Sequence, residues 1–201
     1  MKNLTEKEAE DFLEKNNFKV AKRVFIKNKE EINKVRINFP WVIKISSKHI
    51  AHKSKIGGTI LNITNTKQAE KAFEELSKIE KFEGVLIQEM ILGEEFILGL
   101  KNTPEFGIVI MFGKGGTNVE KEKDISFRVP NINESDAEGM LEEIKFYAQV
   151  KNKINKKEII KNILQLSNLS EKNPSIQELD INPLIVNNKE AIVVDARLST
   201  E

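Results

Sequence analysis

The chain of 201 residues is long enough for one large domain or two small lobes, each with its own core. Its 32 Lys and Arg balance 31 Asp and Glu, a net charge of +1, which argues against nucleic-acid or membrane binding through bulk charge. The lack of any cysteine excludes a disulfide framework, a thiolate zinc site and a cysteine nucleophile.

The acidic N-terminus, MKNLTEKEAEDFLEKNN, has no apolar stretch of the signal-peptide kind. Nor does any apolar run approach the length that crosses a bilayer, so a cytoplasmic location is expected. Thr5, with Glu8 three residues on, opens a helix that carries Ala9, Phe12 and Leu13 on one face. The run VFI, residues 24–26, reads as a strand, and a helix is expected over about 29–37, ahead of Pro40. WVIKIS, 41–46, reads as a buried strand, with TILNI, 59–63, as its hairpin partner. Residues 66–79 have helical periodicity, with Ala69, Ala72, Phe73 and Leu76 on one side. Strands follow at 84–90, 94–101 and 107–113, then helices at 134–149 and 156–169. KNKINKKE, 151–158, resembles a flexible linker, and ELDINPLIV and AIVVDAR flank a polar turn, NNKE, as a closing hairpin. The mixture predicts an α+β fold in two lobes.

Four features carry chemistry. A closing turn centred between Asn188 and Lys189 sets Asn182 opposite Asp195 and Asp180 opposite Arg197. Directly opposed β-carbons lie about 4.5–5.5 Å apart. An amide oxygen and a carboxylate at that spacing can share a hard cation such as Mg²⁺. The same residues also fit a plainer role, as a turn asparagine and an aspartate paired with the neighbouring arginine. Lys44 stands inside an apolar strand, where an unpartnered ammonium would cost several kcal/mol. Either that strand is an edge and the lysine reaches water, or the lysine serves an anion. Both histidines of the chain, His49 and His52, lie on one lysine-rich loop, SSKHIAHKSKIGG. FGKGG, 112–116, allows close approach of backbone to a ligand without being a Walker or Rossmann pattern.

In chain order, VIKIS, HKSKIGG, LIQEMILGEEFILGL, FGIVIMFGKGGTNVEKEKDISFRVP, ELDINPLIV and VVDARL resemble the β subunit of ADP-forming acetyl-CoA (acyl-CoA) synthetase. That is an ATP-grasp family related to succinyl-CoA synthetase, and the resemblance runs from about residue 5 to 198. It implies two ATP-grasp lobes with nucleotide bound between them, 1–87 with the phosphohistidine loop and 88–201 with the Mg²⁺ site. Lys44 matches the lysine on the ATP phosphates, and Gln88, Glu89 and Met90 match the hinge that receives adenine through its backbone. Glu95 matches the acidic residue near the ribose and phosphates, and Asn182 and Asp195 match the Mg²⁺ ligands. Glu120 and Asp124 match acidic positions facing the phosphates, and Arg128 the arginine that follows them; Glu120 and Arg128 are read as catalytic.

His52 matches the histidine that takes a phosphoryl group from the partner's phosphohistidine and passes it to ADP, while His49 has no counterpart. The implied reaction is acyl-CoA + ADP + phosphate ⇌ organic acid + CoA + ATP, with a CoA-binding α subunit in a hetero-oligomer, for which α2β2 is a candidate. Lys55, Asn102–Thr103–Pro104 and the stretch YAQVKNKINKKE depart from the family pattern. Those departures keep open a non-catalytic ATP-binding regulatory or scaffold subunit. A stand-alone ATP-grasp ligase joining a carboxylate to an amine is the weakest alternative.

Overall fold

A computed structural model describes residues 2–50, 53–116 and 123–201. The chain divides into two units, residues 21–91 and residues 1–20 with 92–201.

The smaller unit is a four-stranded antiparallel sheet backed by one helix. Strands β2 (Arg23–Ile26), β3 (Trp41–Ser46), β4 (Thr59–Ile63) and β5 (Gly84–Glu89) take the order β2-β5-β3-β4. Helix α2 (Thr66–Leu76) is capped by the Asn65 side chain, which accepts from the Gln68 N–H at 2.9 Å. Its apolar stripe, Ala69, Ala72, Phe73 and Leu76, buries against Trp41, Ile43, Ile45, Val85 and Ile87 on one face of the sheet. The expected helix over 29–37 is only a 3-10 turn, Lys29–Lys34. Val35 is already extended, and the chain stays non-helical toward Pro40.

The larger unit holds β1 (Lys2–Asn3), α1 (Glu6–Lys15), β6 (Glu94–Thr103), β7 (Gly107–Lys114), β8 (Ile125–Arg128), β9 (Ile176–Val186), β10 (Ala191–Val193) and β11 (Ala196–Thr200). Its sheet runs β1-β11-β9-β6-β7-β8, with β10 also beside β9. Helices α3 (Glu134–Glu142), α4 (Lys145–Val150) and α5 (Lys156–Lys172) complete it. Phe96, Leu98, Leu100, Ile110 and Phe112 of the sheet pack into one core with Met140, Ile159, Ile163 and Leu166 of the helices.

The boundary expected at 87/88 falls at 91/92, and the first twenty residues belong with the C-terminal part. Two contacts explain this. Lys2 and Asn3 pair with Thr200 and Ser199, and α1 buries Ala9 and Leu13 completely in the larger core. Thr5 and Glu8 form the anticipated capping box.

The helix expected over 134–149 is broken at Glu143 and Ile144. The Asp124 carboxylate accepts from the N–H groups of Lys145 and Phe146 at 2.9 and 2.8 Å, which starts α4 afresh. The linker-like stretch ends at Asn155, whose side chain caps α5 by accepting from Lys157 and Glu158 N–H. Neither β1 nor β8 was apparent from the sequence pattern.

Candidate functional site

The closing hairpin has the anticipated register. Val193 pairs with Leu184, Ala196 with Ile181 and Arg197 with Asp180. Asn182 and Asp195 therefore face each other in the gap between β10 and β11, and the Asn182 N–H donates to the Asp195 carbonyl at 3.1 Å. The Asn182 side chain is oriented by β7's end: Oδ1 accepts from the Gly116 N–H at 2.9 Å, and Nδ2 lies 3.5 Å from the Gly116 carbonyl.

Gly115 donates its N–H to the Glu95 carbonyl at 2.8 Å. A β-carbon added at Gly116 would lie 2.7 Å from Glu95 Oε2, and Gly116 has φ +94°. The fold thus gathers Glu95, Gly116, Asn182 and Asp195. Burial pushes the Asp180 carboxyl above the ordinary aspartate range, opposed by Arg197 across the ladder.

This donor set suits Mg²⁺. It consists of oxygens, and Asn182 Oδ1 keeps a second lone pair beyond the Gly116 bond. Among the described residues there is no cluster of three or more His, Cys, Asp or Glu able to cage a metal. A hard cation held by few protein groups, with phosphates and water as its other ligands, is the ordinary situation of Mg²⁺.

Lys44 belongs to the smaller unit. Its strand β3 lies between β5 and β4, pairing Lys44 with Leu86 and Thr59, so the edge-strand explanation does not hold. The residue is only 6% exposed. Gln88 is 1% exposed and pairs with Val42 of β3. Glu89 and Lys22 bond reciprocally: Glu89 N–H to Lys22 O at 2.9 Å, and Lys22 N–H to Glu89 Oε1 at 2.8 Å. Met90 N–H donates to Pro40 O at 3.0 Å. The backbone N–H groups of Glu89 and Met90, two of the three residues expected at the adenine, are therefore already engaged within this unit.

Arg128 forms a two-pronged ion pair with Glu143, at 2.6 Å from Nη2 to Oε1 and 3.2 Å from Nη1 to Oε2. Ser126 also donates its hydroxyl to that carboxylate. The arginine ties β8 to the end of α3, and Asp124 starts α4, so both side chains have bonds that hold the fold together. His49 is a surface residue 3.9 Å from Glu83. His52 and Glu120 lie outside the described residues.

Gly116 was missed as a site residue. Its backbone N–H orients Asn182, and only the FGKGG run hinted at such a close approach.

Residues 1–199 match the family model of the ATP-grasp domain. The chain is 37% identical over 210 residues to the acetate–CoA ligase [ADP-forming] I subunit beta of Pyrococcus furiosus, spanning 97% of this chain and 90% of that one. It is 38% identical over 204 residues to acetate–CoA ligase [ADP-forming] II of Archaeoglobus fulgidus, but spans only 30% of that longer protein.

A solved structure of the dinucleotide forming acetyl-coenzyme A synthetase 1 of Ca. Korarchaeum cryptofilum, in complex with coenzyme A and Ca-AMPCP, superimposes with a TM-score of 0.92 at 35% identity. The match covers 100% of this chain and 94% of that one. In another complex of that synthetase, with coenzyme A and Mg-AMPPCP, the phosphohistidine segment points towards the nucleotide binding site; there the TM-score is 0.87 at 35% identity, covering 100% and 93%. The chain belongs to the ATP-grasp family, in the group that includes the β subunits of the ADP-forming acetate–CoA ligases.

Proposed function

We propose that this chain is the nucleotide-binding part of an ADP-forming acyl-CoA synthetase, acting with a CoA-binding α partner to form ATP from acyl-CoA, ADP and phosphate. The observation that carries the reading is the opposed Asn182 and Asp195, with Asn182 oriented by Gly116, in a chain that spans 90% of the Pyrococcus furiosus β subunit.

Lys44 neutralises nucleotide phosphate, and Gln88–Met90 adjoin the base. Because Glu89 and Met90 already direct their N–H groups to protein carbonyls, the base meets this segment through other groups. Asn182 and Asp195 hold Mg²⁺, with Glu95 beside them; the metal, when bound, neutralises phosphate charge. Phosphoryl transfer depends on such positioning and neutralisation more than on covalent machinery.

His52 carries the phosphoryl group between the partner and ADP. Its imidazole nitrogen attacks the phosphorus of the partner's phosphohistidine, one N–P bond forming as the other breaks. A terminal ADP oxygen then takes the phosphoryl group and releases the ring. Arg128 and Glu120 assist at the phosphates in this scheme. With Arg128 paired to Glu143, its part is the less direct one.

Replacing Asp195 with Ala removes an anionic metal ligand. Mg·ADP affinity should fall about tenfold or more, about 1.4 kcal/mol. Titration calorimetry of both proteins decides it, and equal affinities would remove the pair from the site.

A further inference from the structure

The loop that carries His52 leaves the end of β3 and returns at the start of β4, residues 47–58. The last rung between β3 and β5 pairs Ser46 with Gly84. Beyond it a side chain takes over from the ladder: Glu83 Oε2 accepts the Lys48 N–H at 3.1 Å. A backbone N–H past a strand's end needs an acceptor, and a residue thirty-five positions along the chain supplies this one. Ser47 is buried, and its hydroxyl oxygen accepts the His49 N–H at 3.2 Å. Ile50 packs against the core of the unit.

The returning end is tied as well. The Gly58 N–H donates to the Lys53 carbonyl at 2.8 Å, and the Gly58 carbonyl accepts from Ile45 N–H at 2.8 Å. A β-carbon at Gly58 would lie 2.6 Å from Ile45 Cγ2, so this approach takes a glycine. In the chain, His52 therefore stands two residues after Ile50, docked on the core, and directly before Lys53, tied to β3 through Gly58. The Glu83 bond comes from outside the loop and its two strands, from the segment just before β5. Phosphoryl transfer works by positioning, and a misplacement of about 1 Å can cost about a hundredfold in rate.

We propose that Glu83 is a positioning residue for the phosphoryl relay: its carboxylate fixes the entry of the loop through the Lys48 backbone, so that His52 meets phosphorus in line. This rests on the relay proposed above for His52 and adds a residue that acts on it through the main chain. The neighbouring His49 Nε2, 3.9 Å from Glu83 Oε1, is beyond hydrogen-bond distance, so the backbone bond is what the role depends on.

The test is rapid-quench labelling of the full chain with Mg²⁺ and [γ-³²P]ATP, stopped in base, with the acid-labile label counted. Calorimetry with Mg·ADP and thermal unfolding run beside it. Glu83→Ala removes the acceptor. The maximal labelling rate should fall about threefold to tenfold, the range for one hydrogen bond of ordinary strength. The ATP concentration at half-maximal rate, the ADP affinity and the melting temperature should stay near wild type. Glu83→Gln keeps an acceptor oxygen and should restore labelling to within about twofold of wild type. Glu83→Met, of similar length without an oxygen, gives the answer if the alanine variant fails to fold. Labelling less than about twofold slower in the alanine or methionine variant overturns the assignment. A glutamine variant as slow as alanine overturns it too, since charge rather than the backbone bond would then be at work. So does a rate that falls only in step with ADP affinity or melting temperature. A wild-type chain that binds Mg·ADP yet takes no acid-labile label overturns the relay reading itself, and the role of Glu83 with it.

Discussion

Gly116 is under three constraints at once. Its N–H is the donor that orients Asn182, its φ of +94° is one that L side chains rarely adopt, and its missing β-carbon leaves room for the Glu95 carboxylate. Gly116→Ala should therefore cost about 1–2 kcal/mol of stability from the backbone alone. It should also displace Glu95 or turn Asn182 away from Asp195. We expect a lower melting temperature together with an Mg·ADP affinity reduced about tenfold, read by thermal unfolding and calorimetry. Stability lost without a change in affinity would mean that the glycine serves the fold only. Gly115 is the control. A β-carbon there would lie 2.6 Å from the Phe96 backbone, so Gly115→Ala should damage folding first.

At the scale of elements, the Arg128–Glu143 pair joins β8 to the end of α3. The Arg128 guanidinium, and after it the Ser126 hydroxyl, hold the Glu143 carboxyl below the usual carboxylate range. A depressed folded pKa stabilises the native state above the unfolded value, near 4.3 for glutamate, and that stabilisation disappears as pH falls through the folded value. Glu143→Gln should thus melt earlier than wild type at pH 7, with the gap closing under acid conditions. The carboxylate is half exposed, so solvent screening keeps the effect below about 1 kcal/mol, a few degrees at most.

The same elements show what could be read from residues alone. β3, β4, α2 and the β9–β11 hairpin were legible, because each couples a clear hydrophobic period to a capping or turn signal. The hairpin register was legible for the same reason, and it placed Asn182 against Asp195. The break between α3 and α4 was hidden, because its cause is a carboxylate twenty-one residues upstream, Asp124 bonding Lys145 N–H. Strand β1 was hidden as well, since two residues carry no period and its pairing with β11 spans the whole chain. Lys44 was half legible: the sequence exposed the anomaly, and only the strand order excluded an edge.

At the scale of the whole molecule, the chemistry proposed for this chain depends on one histidine out of two. His49 is two-thirds exposed beside Glu83, in a setting with nothing to recommend it for transfer. His52 carries the family match. A neutral imidazole has a ring-nitrogen lone pair that can attack phosphorus. Incubated with Mg²⁺ and [γ-³²P]ATP, the chain should become labelled as the γ-phosphoryl group leaves ADP for the ring. The product is a phosphoramidate, stable in base and lost on brief acid treatment, which separates it from a phosphoserine ester. His52→Ala should abolish the label and the overall reaction with the α partner, while Mg·ADP affinity stays near wild type. His49→Ala should keep all three. Lys53→Ala should slow labelling only modestly, because one screened surface cation is worth about 1 kcal/mol or less. Acid-labile label persisting in the His52 variant would rule out the relay. A tight complex with the α partner that turns over no acyl-CoA would leave a nucleotide-binding scaffold as the function.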